Sequence, residues 1–510
     1  MASVQLARPW RVVLSHRIAV PAFLIALTAL SAFLRTRQLN GGFWIDEGLS
    51  VGIAHHHWSS IPGLLRQDGS PPGYYLLLGL WIRLFGDGER ATHTLSLLFG
   101  LACIPLAYVA GRALFDRVTG FVCATLAAFD PFLTYYAQET RMYEVEAFLS
   151  IVVAYAYVQG ILRGRTAWAV ALVPALAAMI YVHNWALFLG VGLAAATALV
   201  ARARLKRFAL VSGGVAILYL PWVPIFVSQV LHTGAPWSTS PGFRDLVLAP
   251  GAVVNGDAAF VALVLVAGAG LATLARRRND EERAIVLAFA ITVAVTVVLA
   301  WLSSQLSPAW TTRYFAVVLG PVLLIGARGV VRAKRHGLVA LAVILFLWAG
   351  FSVRDDKENA RQVMAGVSGF MHPDELVVST HPEQVPVLRY YLGSGYRWAT
   401  TMGPVSDARI FDWRNAVDRL GASNMQARAD QTIAAVRPGA EFVVVTPVFR
   451  DYHAWSATWT NLVWRQSLAY TSALRHDPRV RLVHHVASDE IALRHNYFKP
   501  LQAFVYRRVG

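Results

Sequence analysis

The chain is punctuated by apolar runs of about 20 residues, the length a helix needs to cross the hydrocarbon core of a bilayer. Eleven stand out: 18–34, 93–112, 118–136, 143–161, 167–183, 185–201, 208–229, 258–275, 284–302, 314–331 and 337–353. A water-soluble globule could not cover so much apolar surface, since only 15% of the residues are charged against roughly 25% in soluble proteins. In lipid, each run must satisfy its own backbone groups, which selects helices. The expected fold class is an α-helical polytopic membrane protein with about 11 transmembrane helices, followed by a C-terminal α/β domain.

The formal charge of +16 does not point to nucleic acid, because much of it sits in short clusters between apolar runs. With the N-terminus inside, the loops 112–117, 162–165, 202–207, 276–283 and 332–336 all face inward. They carry "RALFDR", "LRGR", "RARLKR", "RRRNDEER" and "RAKRH", as the positive-inside rule expects of cytoplasmic loops. The first run follows Arg8, Arg11 and Arg17 and has no small-residue cleavage site after it, so it reads as a retained helix rather than a signal peptide. Cys103 and Cys123, the only cysteines, lie inside apolar runs and imply no disulfide framework.

"PPGYYLLLGLWIRLF" (71–85) is apolar but short and contains Arg83. A span here would move every later basic loop outside. The expectation is an interfacial helix within the first outer loop, 35–92, with Tyr74, Tyr75 and Trp81 at headgroup level. After residue 354, charged and turn residues return. "ELVVST" (375–380), "EFVVVTPV" (441–448), "RVRLVHHVA" and "QAFVYRRV" read as strands, and "QVPVLRYYL" and 456–476 as helices. Residues 1–353 thus form a transmembrane domain and 354–510 a soluble extracytoplasmic α/β domain.

The polar residues that chemistry needs cluster in outer loops. "GGFWIDEGLSVGIAHHHW" (41–58) carries Asp46 and Glu47, whose side chains point about 100° apart on a helix. One can serve as a general base while the other orients; equally, Asp46 can cap the helix that follows. His55, His56 and His57 are adjacent, without the usual metal-ligand spacing, and fit a surface face better than a metal site. "YYAQETRMYEVE" packs Gln138, Glu139, Arg141, Tyr143 and Glu144 at a helix junction, where Arg141 and Glu144 can pair at i,i+3. "YVHNW" contributes His183, and "SPAWTTRYF" contributes Arg313 and Tyr314. An Arg at that position can snorkel to a lipid phosphate or hold a specific one.

Taken in order, "FWIDEG", "GSPPGYYLLLGLWIRLFG", "ERATHTLSLLFG", "YYAQETRMYE", "YVHNW" and "TTRYF" resemble the GT-C superfamily of integral-membrane glycosyltransferases. The resemblance covers roughly residues 18–330. More narrowly, it resembles the branch containing dolichyl-phosphate-mannose protein mannosyltransferases and the aminoarabinose transferase of lipid A. It implies an inverting transferase that takes a sugar from a polyprenyl-phosphate carrier and gives it to an extracytoplasmic acceptor: a glycolipid, polysaccharide or protein. Asp46 would be the general base, with Glu47 orienting the acceptor or the site. Arg141, Arg313, His183 and Tyr314 would meet the donor phosphate. Gln138, Glu139, Tyr143, Tyr74 and Tyr75 would line the acceptor or cavity side. The lipid-linked sugar is a substrate, and no cofactor is required if an Arg stabilises the departing phosphate, though a divalent metal is not excluded. The implied location is the plasma or inner membrane, with the N-terminus cytoplasmic.

A transporter or flippase of a lipid-linked sugar is the alternative. It would place ionisable groups at mid-membrane and often shows repeat symmetry, whereas the polar clusters here lie at the outer ends and no internal repeat is visible. A non-catalytic binding module built on the α/β domain has less support, because the dense polar clusters belong to the membrane part.

Overall fold

The computed structural model describes residues 16–249, 251, 254, 257–275, 280–351, 358–449, 455–487 and 500–509. Arg8, Arg11, residues 276–279 of the basic 276–283 cluster and the 354 boundary lie outside them.

Each of the eleven apolar runs contains a helix. Five helical stretches are long and apolar enough to cross a membrane: Glu89–Leu114, Tyr143–Leu162, Arg202–His232, Glu281–Leu306 and Thr312–Arg332. The remaining apolar helices are shorter, between 10 and 17 residues. Two runs read as single helices are broken, each for a local reason. Run 118–136 divides into Arg117–Phe129 and Pro131–Tyr136. Pro131 has no N–H for the first helix but suits the first turn of the second, and Asp130 accepts the Phe132 N–H at 2.8 Å. Run 208–229 becomes Leu205–Tyr219 and Val223–His232 around a 3-10 turn containing Pro221. Small residues let helices approach closely, as membrane packing favours. A Cβ on Gly111 would lie 2.7 Å from Cys123 Sγ, and one on Gly120 2.8 Å from the Tyr108 carbonyl. Both cysteines are free and buried.

The loop parity is visible in the ion pairs. Arg163 meets Glu281 at 2.7 Å, Arg328 pairs with Asp116 and Glu282, and Arg332 also reaches Glu282. These join the basic loops at one end of the bundle. Loops 137–142 and 307–313, at the other ends of helices joined by these pairs, carry Arg141 and Arg313.

The segment 73–85 is a helix, Gly73–Phe85, as expected. Tyr74 and Tyr75, however, are fully buried in protein, which corrects their placement at headgroup level. Tyr75 donates to Asp68 at 3.2 Å, while Trp81, half-buried, donates to the Ala91 carbonyl at 2.7 Å.

The C-terminal domain holds a six-stranded mixed sheet: β1 (Leu376–Ser379), β2 (Arg397–Thr400), β3 (Gly403–Val405), β4 (Glu441–Pro447), β5 (Val480–Val486) and β6 (Leu501–Arg508), in the order β3-β2-β1-β4-β6-β5. β1 pairs parallel with β2 and β4; the other pairings are antiparallel. β1 and β4 are almost wholly buried, so they read as continuous apolar runs. The hairpin β2–β3 and the helices Ala416–Gly421 and Met425–Ala434 were not anticipated; their sequences are polar and short.

This domain is docked on the first loop of the membrane part. Gly48 and Gly52, one turn apart on the Ile45–Ala54 helix, form its contact face. A Cβ on Gly48 would sit 2.5 Å from Val387 Cβ, and one on Gly52 only 2.0 Å from the Arg409 carbonyl oxygen. The Phe43 N–H donates to Tyr391 Oη at 2.6 Å, Arg361 reaches Glu89 at 2.7 Å, and the Trp413 N–H donates to the Gln67 carbonyl at 2.7 Å.

Candidate functional site

The Ile45–Ala54 helix starts after extended Trp44, whose N–H lies 3.4 Å from Glu47 Oε2. Trp44, not Asp46, is therefore the N-cap. Asp46 sits in the first turn, where the helix dipole favours a carboxylate, and turns outward with its side chain 21% exposed. Its Oδ2 lies 3.3 Å from the Arg313 guanidinium and 3.7 Å from that of Arg141. Three loops far apart in sequence thus converge on one carboxylate.

Glu47 faces the opposite way and is fully buried. Its Oε1 accepts the Thr140 N–H at 2.7 Å and lies 2.7 Å from His93 Nε2. His93 Nδ1 in turn donates to the Leu39 carbonyl at 3.0 Å. Glu47 thereby fastens the 137–142 loop to the first loop. These contacts can orient the site. His93 was missed as a functional residue, although it lies within the quoted stretch "ERATHTLSLLFG"; an isolated His gives no spacing signal.

Arg141 is held by Ser50 Oγ at 2.8 Å and by the Asp46 carbonyl at 3.2 Å, and its guanidinium stands 5.7 Å from the Tyr143 ring centroid. It does not pair with Glu144. That carboxylate is buried beside Gly100, where a Cβ would lie 2.8 Å from Glu144 Oε2 and 3.1 Å from Arg35 Nη1. Arg313 lies in the 3-10 segment Thr312–Val318, tied to the Tyr143–Tyr157 helix by Ser150 Oγ, which donates to the Val317 carbonyl at 2.7 Å. The Arg313 guanidinium is 5.4 Å from the Trp44 ring and 5.8 Å from the Tyr314 ring. Both Arg Nε groups are buried without hydrogen-bond partners.

His183 lies 4.5 Å from the Tyr314 ring centroid and 3.5 Å from Glu146 through Nδ1. With Tyr143 these rings wall the side of the cluster away from Glu47. Tyr143, Tyr74 and Tyr75 are completely buried, and Gln138 and Glu139 nearly so. Gln138 accepts the Gln38 N–H at 2.8 Å and donates to the Thr134 carbonyl. The Glu139 carbonyl accepts Ser96 Oγ at 2.5 Å. These five are packed among the loops that carry the cluster.

The histidine run separates by role. His56 Nε2 meets Asp407 Oδ2 at 2.7 Å, joining the first loop to the C-terminal domain, while His55 lies 3.7 Å from Asp87 and His57 contacts Ser59. The Asp407 partner raises the His56 pKa above its ordinary value, and His56 lowers that of Asp407. Among the described residues, no three His, Cys, Asp or Glu side chains converge as metal ligands. At Asp46 the second carboxylate is turned away and two guanidiniums stand beside the first.

A family model described as dolichyl-phosphate-mannose-protein mannosyltransferase matches residues 69–226. Several solved membrane enzymes share the architecture. The Archaeoglobus fulgidus oligosaccharyltransferase AglB, solved with an inhibitory peptide and a dolichol-phosphate, is 10% identical with a TM-score of 0.55, over 90% of this chain and 72% of that one. The oligosaccharyltransferase of the same organism in complex with Zn and sulfate is 13% identical with a TM-score of 0.54, over 83% and 68%. ArnT from Cupriavidus metallidurans bound to undecaprenyl phosphate is 13% identical with a TM-score of 0.51, over 96% and 98%. No curated protein sequence matches the chain. The protein has the fold of the GT-C membrane glycosyltransferases. It is an integral membrane protein, and at this level of identity the likeness rests on architecture rather than on shared residues.

Proposed function

We propose that the protein is an inverting glycosyltransferase that moves a sugar from a polyprenyl-phosphate carrier to an extracytoplasmic acceptor. The observation that carries the reading is Asp46, the accessible carboxylate of the pair, flanked by Arg141 and Arg313. Two guanidiniums share one carboxylate, leaving an excess positive charge beside a base. That is the arrangement an anionic leaving group next to a nucleophile requires. That two fold neighbours were solved with dolichol-phosphate and undecaprenyl phosphate supports a carrier of this chemistry.

In the proposed step, Asp46 takes the proton of the acceptor hydroxyl as its oxygen attacks the anomeric carbon. The new C–O bond forms on the face opposite the phosphate. The bond to the phosphate oxygen breaks, and polyprenyl phosphate leaves with the electron pair. Arg141 and Arg313 hold that phosphate as its charge grows. Glu47 acts indirectly, by fixing the loop that carries Arg141.

The test is release of polyprenyl phosphate from a panel of polyprenyl-phosphate sugars by the purified protein in lipid nanodiscs. Asp46→Asn should abolish release while leaving donor binding intact, and Arg313→Ala should weaken binding of polyprenyl phosphate. Full turnover by Asp46→Asn would remove Asp46 from the role of base.

A further inference from the structure

The C-terminal domain contains a cavity of about 530 Å³ that the proposed reaction does not use. It lies beside the edge hairpin β2–β3, and four arginines line it: Arg389, Arg397, Arg409 and Arg428. Asp407 is the only carboxylate in its wall, and that group is already engaged by His56. Arg397 is also committed, to the carbonyls of Asp374 and Ala435. The Arg428 guanidinium bonds only the neutral Gln431 amide, at 2.8 Å. Among the described residues, the Arg389 side chain makes no hydrogen bond or ion pair, and Arg409 Nε is buried without a partner.

Three cations thus stand around one pocket, with Asp407, itself paired to His56, and Asp87 as the carboxylates that act on Arg389. Arg389 and Arg409 lie close enough to repel one another, and burial with that repulsion lowers the Arg389 pKa. Holding a guanidinium half-buried beside another cation is unfavourable by itself. The cost falls when an anion occupies the space between them, and guanidinium forks suit carboxylate and phosphate oxygens.

The location says which anion this would be. The rim of the cavity, Asp407 to Arg409, packs directly on Gly52 of the helix that carries Asp46. Gly52 lies six positions after Asp46, about 9 Å along the helix axis and about 120° around it. The donor phosphate, in the proposed reaction, belongs to Arg141 and Arg313, neither of which lines the cavity. A second anion site on the C-terminal domain therefore fits the acceptor.

We infer that the Arg389–Arg409–Arg428 cavity is an acceptor subsite that binds an anionic group, phosphate or carboxylate, of a saccharide acceptor, so that a hydroxyl roughly one or two sugar units away reaches Asp46. This rests on the glycosyltransferase reading for its purpose but not for the binding itself. Trp398 also lines the cavity, giving a fluorescence signal for a direct titration of the full chain in nanodiscs. The probes are inorganic phosphate, galacturonic acid trisaccharide and neutral mannotriose. One or both anions should bind in a salt-sensitive manner and mannotriose should not; whichever anion binds more tightly distinguishes a phosphorylated acceptor from a uronate-bearing one. Arg389→Ala and Arg409→Ala should each weaken anion binding about tenfold, the value of one charged hydrogen bond. Both should leave undecaprenyl phosphate binding unchanged, and Arg389→Lys should retain much of the affinity. Arg141→Ala should do the reverse. Since Arg389 bonds nothing in the protein, its removal should not disturb folding. Wild-type anion affinity in the Arg389→Ala, Arg409→Ala double variant, equal binding of mannotriose, or no binding of either anion would overturn the assignment. Should no sugar donor release polyprenyl phosphate, the glycosyltransferase reading fails separately, since the anion titration does not depend on turnover.

Discussion

The adjacent carboxylates Asp46 and Glu47 should fail in different ways when neutralised, and Glu47 provides the sharper test. Replacing Glu47 by Ala leaves the Thr140 N–H and the His93 Nε2 facing a void, each having lost a 2.7 Å contact. A buried donor left unsatisfied costs about 1–3 kcal/mol, so the pair costs roughly 2–6 kcal/mol. Glu47→Gln is milder. Its amide oxygen can keep both contacts, but at the strength of neutral rather than charge-assisted bonds, a loss of about 1 kcal/mol for each. Asp46→Asn removes only the charge from the longer contacts to Arg313 and Arg141, 3.3 and 3.7 Å, at a partly exposed side chain, and should leave the thermal midpoint near that of the wild type. The assay is thermal unfolding in detergent by intrinsic fluorescence, run beside donor turnover. The expected order of stability is wild type and Asp46→Asn together, then Glu47→Gln, then Glu47→Ala. Activity should fall partially in Glu47→Gln, as Arg141 loosens, and completely in Asp46→Asn. A Glu47→Ala protein as stable as the wild type but catalytically dead would refute the argument, because it would mean that Glu47 meets the substrate rather than the loop.

Gly52→Ala forces a methyl group within 2.0 Å of a backbone carbonyl on the C-terminal domain. Overpacking of this kind costs about 1–3 kcal/mol, and hydrogen exchange in 43–58 and 385–392 should rise together; unchanged exchange in both would show that the docking face is elsewhere. Docking should also depend on pH through His56 and Asp407. A His whose folded pKa is raised stabilises fully below its unfolded value, near 6.5, and loses that contribution as pH rises through the folded value. A depressed Asp stabilises above its unfolded value, near 3.9, and loses that as pH falls through its folded value. Protection of the first loop should therefore be greatest between about pH 4 and 6.5 and decline above it, with the slope much reduced in His56→Gln. A slope of opposite sign would place the titrating group elsewhere.

Much of the membrane part was legible because lipid imposes one rule on it: long apolar runs become helices, and basic loops group at one end. The ion pairs of Arg163, Arg328 and Arg332 bear out that grouping. Where it failed, a single residue overrode the hydropathy pattern, as Pro131 did by ending one helix and starting another. The polar cluster was legible as a set of residue types but not as a set of directions. Gln138, Glu139, Tyr143, Tyr74 and Tyr75 have the composition of a binding wall, yet each is buried, because a loop that crosses a tightly packed bundle must satisfy its own backbone and anchor its own rings. Nothing local in "IDEG" says that Glu47 turns inward to Thr140 and His93 while Asp46 turns outward. That is decided by contacts 93 and 46 residues away. The glycines were the least legible of all. Gly48 and Gly52 look like ordinary breaks in a short helix, and only the nearness of Val387 and Arg409 shows that they are a docking face. The consequence is mechanical. The helix bearing Asp46 is held on one side by the 137–142 loop through Glu47 and on the other by the C-terminal domain through its glycines. The position of Asp46 is therefore set jointly by both domains, and removing the C-terminal domain should alter turnover even though, among the described residues, none of its side chains pairs with Asp46.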